Sequence, residues 1–515
     1  MKPSQSKRVT GVHYLLALVL IMIAVVTACN PIIVLPPDPS TTTSSSTSST
    51  TTAPPIVPSG QGMNVLVMLT DDQGCDQHAT AARPNPVRCD TVDAYMKFLA
   101  SEPGGSWWNS TQTRYQGVLC CPDRTSILTG QTIAHTGQYG NGVCVAEKAG
   151  ELPEPWRTAG YATGYFGKYK NCYPGSSCAK PIPSGWERWV VDRAAPSGYN
   201  FDYCDQDTGP FTVAQNGNST WSSYWYGDRA IEWINQQQAA GRPWFTFYAP
   251  YAPHLGASGP TDIGGWTTPA NLPNYREGNC KGALNTDDSD KPSFIRDNTC
   301  AGSRNAEEAV KGQVGLDNEF KKLYNNLAAT GQLNNTIILF MGDNGMGLGS
   351  HKVSKKQCAY EECLTNPLML RLPGSSGGTL NRMISNVDVY PTLLELTGLT
   401  TALPADGRSF VQLMRGDTTG WRTDQYSQNG VPSSASADDF DLVRDDCAVR
   451  TPCYKYTQYR GGERELYNLT DDPYELVNLL PNPVTGYAGQ PGWDDNNPVV
   501  VELKARLAAH LSAGA

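Results

Sequence analysis

The sequence predicts an α/β protein with a central, mostly parallel sheet, followed by a smaller C-terminal α+β subdomain. Three observations carry this prediction. Four continuous apolar runs each end in polar residues, amphipathic helical stretches lie between them, and beyond about residue 405 the pattern changes to short β-like runs closed by a helix. Continuous apolar runs mark strands covered on both faces, whereas a sheet with one wet face alternates apolar and polar side chains.

The four runs come in order. Asn64-Val-Leu-Val-Met-Leu-Thr70 leads into Asp71-Asp72, and Thr163-Gly-Tyr-Phe166 into Gly167-Lys168. Trp244-Phe-Thr-Phe-Tyr248 leads into Ala-Pro-Tyr-Ala-Pro-His254, and Thr336-Ile-Ile-Leu-Phe-Met341 into Gly342-Asp343-Asn344-Gly345. Tyr226 to Gln238 and Gly315 to Ala329 read as amphipathic helices. Ligands of an open α/β sheet bind beyond the carboxyl ends of its strands. Any one of these strand ends would pass as an ordinary turn, but four polar ends together mark a site. Val387 to Gly398 predicts a helix with Pro391 near its start and glycine at its end. Beyond it come β-like runs at Cys453 to Tyr456 and Glu465 to Tyr467, then a helix near Val500 to Leu511. We divide the globular chain at 62–400 and 401–515.

The N-terminus reads as targeting and tether. Lys2, Lys7 and Arg8 precede an apolar stretch from Tyr14 to Val26, and Val26-Thr27-Ala28-Cys29 fits a bacterial lipoprotein cleavage site. On this reading 1–28 is removed and Cys29 is lipidated, giving an extracytoplasmic, membrane-anchored or secreted protein. The alternative is a retained signal anchor, for which the apolar stretch is short against the roughly 20 residues of a membrane span. Residues 29–61 are a Pro/Ser/Thr-rich tether with too few large apolar side chains to fold. The net charge of −9 and pI near 5.3 argue against nucleic acid as a partner. Fifteen cysteines fit an oxidising compartment. Local pairings at Cys75–Cys89, Cys172–Cys178, Cys280–Cys300, Cys358–Cys363 and Cys447–Cys453 are plausible. Cysteine metal binding is the weaker alternative, since tight Cys-x-x-Cys pairs are lacking.

The most specific segment is Cys120-Cys121-Pro122-Asp123-Arg124-Thr-Ser-Ile-Leu128-Thr-Gly130. Proline near the start and glycine past the end bracket a short helix. Cys120 then sits at the helix N-terminus, where free N–H groups favour negative charge, and Arg124 lies one turn along. The competing reading is a buried cysteine pair before a helix.

Cys-x-Pro-x-Arg followed by Leu-Thr-Gly resembles the signature of the type I sulfatases, and the doubled cysteine resembles their glucosamine-6-sulfatase-like branch. Asn64 to Asp72 resembles the family's opening strand with two metal-binding aspartates. Gly167-Lys168-Tyr169, Ala249-Pro-Tyr-Ala-Pro-His254, Gly342-Asp343-Asn344-Gly345 and Lys356 before Tyr360-Glu361 are similar to later motifs. So are Val387-Asp388 to Thr392 and Glu465 to Glu475. The resemblance spans about 400 residues. Two departures stand out: Asp123 takes a place where the family has serine or alanine, and Lys170, followed by Asn171, stands where many members have histidine.

The resemblance implies an alkaline-phosphatase-like α/β sandwich and hydrolysis of a sulfated carbohydrate or aryl sulfate. It implies that a formylglycine-generating enzyme oxidises Cys120 to formylglycine, and that one Ca²⁺ or Mg²⁺ per chain is bound. Asp71, Asp72, Asp343, Asn344 and the modified Cys120 are the expected ligands; hard oxygens suit these ions. Arg124, Lys168 and Lys356 are expected to neutralise the nucleophile and the sulfate oxygens, and His254 or Lys356 to protonate the leaving oxygen. Lys168, His254, Lys356 and Asn171 are the candidate substrate contacts, with Lys170 or Asn171 replacing the missing histidine; His351, near the second metal motif, either contacts substrate or caps a loop. His135 and His78 read as structural, and Lys355 as solvated. Two rival readings remain, a formylglycine-dependent phosphonate or phosphate ester hydrolase and an unmodified carbohydrate-binding protein.

Overall fold

Strand β1, Asn64–Thr70, is buried along its whole length, and its side chains divide between two cores. Val65, Val67 and Leu69 face one cluster, and Leu66 and Met68 the other. The computed structural model describes residues 60, 62–73, 106–142, 144–171, 173, 178, 181–193, 198–199, 201–208, 212–215, 220–254, 259–260, 288–298, 306–347, 350–353 and 355–513. The signal segment, Cys29, His78 and the pairs Cys75–Cys89 and Cys280–Cys300 lie outside the described residues, as does all of the tether but Gly60.

The other strands are β2 (Trp107–Ser110), β3 (Thr113–Arg114), β4 (Ala162–Gly167), β5 (Arg188–Asp192), β6 (Asp202–Asp205), β7 (Thr212–Gln215), β8 (Trp244–Ala249), β9 (Thr336–Gly342), β10 (Leu368–Arg371), β11 (Gly378–Leu380), β12 (Ile384–Ser385), β13 (Asp424–Asn429), β14 (Phe440–Asp445), β15 (Tyr454–Tyr459) and β16 (Arg464–Asn468). The main sheet has the order β11-β2-β10-β9-β1-β8-β4-β5-β6-β7. Its middle five strands, β9 to β5 in that order, are parallel, while β10, β6 and β7 add antiparallel margins. All four expected runs are parallel strands of this middle. The fifth, β5, was not expected.

Helices Ser222–Ala239 and Ala306–Ala329 contain the two amphipathic stretches and contribute Tyr226, Trp233, Phe320 and Leu323 to one core. On the other face lie Ile127 and Leu128 of helix Cys120–Thr129, and Leu393 of helix Val389–Thr397. Each such fully buried large apolar side chain contributes roughly 1.5–3 kcal/mol relative to exposure. Strands β13 to β16 form a separate antiparallel sheet, and helix Pro498–Ala513 supplies Leu503 and Leu507 to its core. This is the α+β pattern expected beyond residue 405.

Two expected disulfides are present, Cys358–Cys363 and Cys447–Cys453. A third differs from expectation. Cys178 is bonded to Cys204 on β6, with Cα atoms 5.8 Å apart, and not to Cys172. Sequence proximity misled here, because the fold brings β6 back beside residue 178. Among the described residues no helix is long and apolar enough to cross a membrane.

Candidate active site

Helix Cys120–Thr129 begins at Cys120 without a side-chain cap from Leu119. The Cys121 N–H is satisfied from elsewhere, donating to Asn141 Oδ1 at 2.9 Å. Pro122 occupies the third helical position, still within the first turn, where a missing N–H costs nothing. Gly130 ends the helix in the left-handed conformation, with φ of 68°. Every residue of the helix is buried, so its register is fixed by packing.

The helix aims Cys120 at the carboxyl ends of β1 and β9. Ligand atoms of Asp71, Asp72, Cys120 and Asp343 all lie within 4.8 Å of one another. Three cations match the three carboxylates. Arg124 donates from Nε to Asp343 Oδ2 at 2.8 Å and from Nη1 to the Lys168 carbonyl at 2.6 Å. Lys168 donates to Asp71 and lies 3.1 Å from Cys120 Sγ. Lys356 donates to Asp72 and lies 2.6 Å from the same Sγ. His254 Nε2 stands 3.3 Å from Asp72 Oδ2.

The strand ends explain these placements. Gly167 closes β4 with φ of 113°, and a Cβ there would stand 2.1 Å from the Ala249 carbonyl oxygen. Only glycine allows β4 and β8 to approach so closely, which sets Lys168 beside the segment carrying His254. Asp72 itself takes a left-handed φ of 57°, turning the chain directly after Asp71.

Burial pushes the Cys120 thiol up, and Asp71 adds to the shift. Burial alone would lower Lys168 and Lys356, yet the neighbouring carboxylates, Asp71 for the first and Asp72 for the second, raise both. Asp343 is raised by burial and by Asp71, against Arg124 and the two lysines. The buried charges thus hold one another in place.

The donor set fits a hard divalent cation. Asn344 gives Nδ2 to Asp72 Oδ1 at 2.7 Å, while its buried Oδ1 takes no hydrogen bond. An unsatisfied amide oxygen beside three carboxylates is what an oxygen-seeking ion such as Ca²⁺ or Mg²⁺ requires.

Other expected residues stand apart. His351 gives one ring nitrogen to Glu362 at 2.8 Å and the other to the Tyr474 carbonyl at 3.0 Å, with its ring stacked on Tyr360. Both nitrogens are engaged and the ring is buried, which is the loop-bracing arrangement open to it beside substrate contact. Lys170 is buried and pairs with Glu147 at 2.6 Å, so its ammonium is turned to that carboxylate. Asn171 N–H donates to Cys121 Sγ at 3.1 Å, which keeps Asn171 at the edge of the site. His135 is half exposed and pairs with Asp406, and Lys355 is exposed. Asp123 is fully buried and accepts from the Gly117 N–H at 3.0 Å and from Asn386 Nδ2 at 2.9 Å, so it braces the helix. Tyr251 was missed: its ring lies 4.8 Å from Lys168 Nζ and packs on His254. Its place between the two prolines of the His254 segment was the available signal. Nothing in the sequence pointed to Asn141.

Comparison with known proteins places this geometry. The family profile described as Sulfatase matches residues 63–399, and one described as N-sulphoglucosamine sulphohydrolase, C-terminal, matches 349–488. The chain is 26% identical over 481 residues to human N-acetylglucosamine-6-sulfatase, covering 81% of this chain and 80% of that one. It is 25% identical to the extracellular sulfatase SULF-1 homolog of Drosophila melanogaster, where the match covers 68% of this chain but spans only 31% of the fly protein. Among solved structures, BT4656 in complex with its substrate D-glucosamine-2-N,6-O-disulfate superimposes with a TM-score of 0.64 at 19% identity, covering 88% of this chain and 98% of that one. The phosphonate monoester hydrolase of Agrobacterium radiobacter shares the fold equally well, with a TM-score of 0.64 at 18% identity, covering 88% of this chain and 96% of that one.

Proposed function

Since the chain belongs to the sulfatase family and is a sulfuric ester hydrolase, we propose that it cleaves a sulfated carbohydrate at the S–O bond, using formylglycine made from Cys120 and one Ca²⁺ or Mg²⁺. The observation that carries this reading is the position of Cys120 Sγ, which touches Lys168 and Lys356 inside the carboxylate cluster. That sulfur marks where the oxygens of the hydrated aldehyde would stand. The hydrate supplies two hydroxyls on one carbon, one to attack sulfur and one to expel the sulfate afterwards. Asp71, Asp72, Asp343 and the Asn344 Oδ1 would hold the ion, which supplies Lewis-acid polarisation of the sulfate.

The remaining work belongs to the chain's own side chains. Three carboxylates balance three cations, so a divalent ion leaves an excess of two positive charges for a sulfate ester and an ionising nucleophile. Arg124 and Lys168 steady the nucleophile, with Arg124 held by Asp343 and the Lys168 carbonyl. Lys356 and His254 approach the two carboxylate oxygens of Asp72, Oδ1 and Oδ2 respectively, and on this reading serve the sulfate and its leaving oxygen. A glycan substrate is supported by the glucosamine-type sulfatases among the relatives and by the sulfated glucosamine in a structural neighbour.

The reading extends to location. Lipidated Cys29 and the tether to residue 61 would hold the enzyme outside the cytoplasm. The disulfides Cys178–Cys204, Cys358–Cys363 and Cys447–Cys453 support an oxidising compartment, as does the extracellular naming of a relative.

The test joins mass and activity. The peptide holding Cys120 should carry an aldehyde in place of the thiol, and the protein should hydrolyse sulfated sugars while Cys120→Ala is inert and Cys121→Ala remains active. An aldehyde at Cys121, or turnover confined to a phosphonate monoester control, would overturn the proposal.

A further inference from the structure

Lys356 reaches the site from residues 355–360, a segment belonging to no helix or strand. Its own local ties are the Cys358–Cys363 disulfide and two backbone hydrogen bonds. The Gly347 N–H donates to the Lys355 carbonyl at 3.0 Å, and the Cys358 N–H to the Lys356 carbonyl at 2.9 Å. The next three residues are instead gripped from the C-terminal part of the chain, two by sheet strands and one by Glu475 beyond β16. Lys455 of β15 donates to the Ala359 carbonyl at 2.7 Å. The Tyr360 hydroxyl donates to Glu465 of β16 at 2.9 Å. The Glu361 N–H donates to Glu475 Oε2 at 2.7 Å.

The grip is charged and dry. The Glu361 carboxylate receives Arg114 Nε at 2.8 Å and Arg444 Nε of β14 at 2.9 Å, with Lys455 Nζ at 3.6 Å. Burial would raise this carboxyl, but Arg114, Arg444 and Lys455 hold it well below the usual carboxylate range. Lys455 also pairs with Glu475, and it is fully buried. A buried ammonium with two carboxylates and one carbonyl has a single low-energy position, so whatever it binds is fixed as well.

We propose that the C-terminal sheet is a positioning device for Lys356, with Lys455 as its principal positioning residue. Lys455 touches no substrate. It fixes the backbone at Ala359 and the carboxylates of Glu361 and Glu475, and through them sets the Lys356 ammonium against Asp72 and Cys120. The apposition of the two sheets is thereby part of catalysis and not merely of stability.

The proposal rests on Lys356 being a working residue, and a double-mutant cycle tests it whatever that work is. Lys455→Met, Lys356→Ala and the double variant are compared by kcat/KM on a sugar sulfate and on an activated aryl sulfate, with thermal unfolding recorded for each. Lys455→Met should lower kcat/KM by about tenfold or more alone, yet by less than twofold in the Lys356→Ala background, as expected of coupled neighbours. Equal factors in both backgrounds would overturn the proposal, because a general loss of structure acts regardless of Lys356. If Lys455→Met does not fold, Tyr360→Phe runs the same cycle. It removes one hydroxyl and leaves Glu465 its bonds from Tyr459 and Tyr467. Should Lys356→Ala harm aryl and sugar sulfates alike while the cycle stays non-additive, the acid role of Lys356 falls and its positioning by Lys455 stands.

Discussion

Arg124 meets Asp343 across 219 residues of sequence, Nε to Oδ2 at 2.8 Å, and neither side chain has appreciable contact with solvent. The pair ties helix Cys120–Thr129 to the end of β9. A second guanidinium nitrogen is taken by the Lys168 carbonyl, and Nη2 is buried without a hydrogen bond. Arg124 therefore links two strand ends, those of β9 and β4, to the helix and keeps one donor in reserve.

The first prediction follows from that position. Arg124→Ala strips the cation from a buried carboxylate, a change that typically costs about 3–5 kcal/mol when one partner of a buried pair is lost. It should lower kcat/KM on a sugar sulfate and on an activated aryl sulfate by the same factor, since its proposed role is to support the nucleophile and not the leaving group. A much larger loss on one substrate than on the other would show that Arg124 acts elsewhere in the reaction.

A second prediction concerns metal. Purified protein should hold about one equivalent of Ca²⁺ or Mg²⁺. Chelation should lower the Tm, because Asp71, Asp72 and Asp343 lose a shared counter-charge; an ion at a hundred times its Kd contributes about 2.7 kcal/mol to stability. Asn344→Ala, which removes the unsatisfied Oδ1, should raise the ion concentration needed for that Tm gain. Stoichiometric zinc, or a Tm indifferent to both ions, would refute the assignment.

Why some of this was legible in the sequence and some was not has physical reasons. The parallel strands stood out because both faces are buried, so β1 and β9 read as unbroken apolar runs. Strand β5, Arg188-Trp-Val-Val-Asp192, is five residues long and starts on a charged side chain, which hid it. Asp71, Asp343 and Lys168 were visible because each directly follows a strand. Lys356 follows none, and only its resemblance to a family motif located it. Its support from Lys455 had no sequence signal, since it depends on how two sheets meet. His351 looked functional by proximity to Asp343, but a left-handed φ of 49° belongs to a turn that commits its ring to Glu362.

A third prediction lies far from the site. Glu319 of helix Ala306–Ala329 is buried against the backbone of Gly227, with Lys322 4.0 Å away and Asp228 nearby. Burial pushes its carboxyl up to about 8, which Lys322 moderates and Asp228 reinforces. The unfolded chain releases this proton near pH 4.3, roughly the free glutamate value. Between those two values the folded state holds more protons than the unfolded one, so this residue's contribution to stability declines as pH rises and levels off above about 8. Glu319→Gln should abolish that decline and stabilise the protein at pH 8 by roughly 1–3 kcal/mol, with little change at pH 4. A Tm difference that does not grow with pH would show that Glu319 is ionised in the folded state at neutral pH.

The last prediction separates binding from proton donation at His254 and Lys356. Both stand at Asp72, Lys356 at Oδ1 and His254 at Oδ2. A sugar alcohol has a high pKa and needs a proton as the S–O bond breaks, whereas a nitrophenolate leaves nearly unaided. Replacing the true acid should therefore slow a sugar sulfate by about 10²–10⁴-fold, the usual range for general acid catalysis, and an activated aryl sulfate far less. His254 is the partly open member of the pair, with a side chain 16% exposed, and Lys356 is more enclosed and also contacts Cys120. An acid must meet the departing group, while a residue that touches the nucleophile assists its attack as well. His254→Ala should accordingly show the steeper dependence on leaving-group pKa, and Lys356→Ala a loss shared more evenly between the substrates. The measurement is kcat/KM across a series of aryl sulfates and one sugar sulfate for both variants. Equal losses on every substrate in both variants would mean that neither residue donates the proton and that both bind the sulfate.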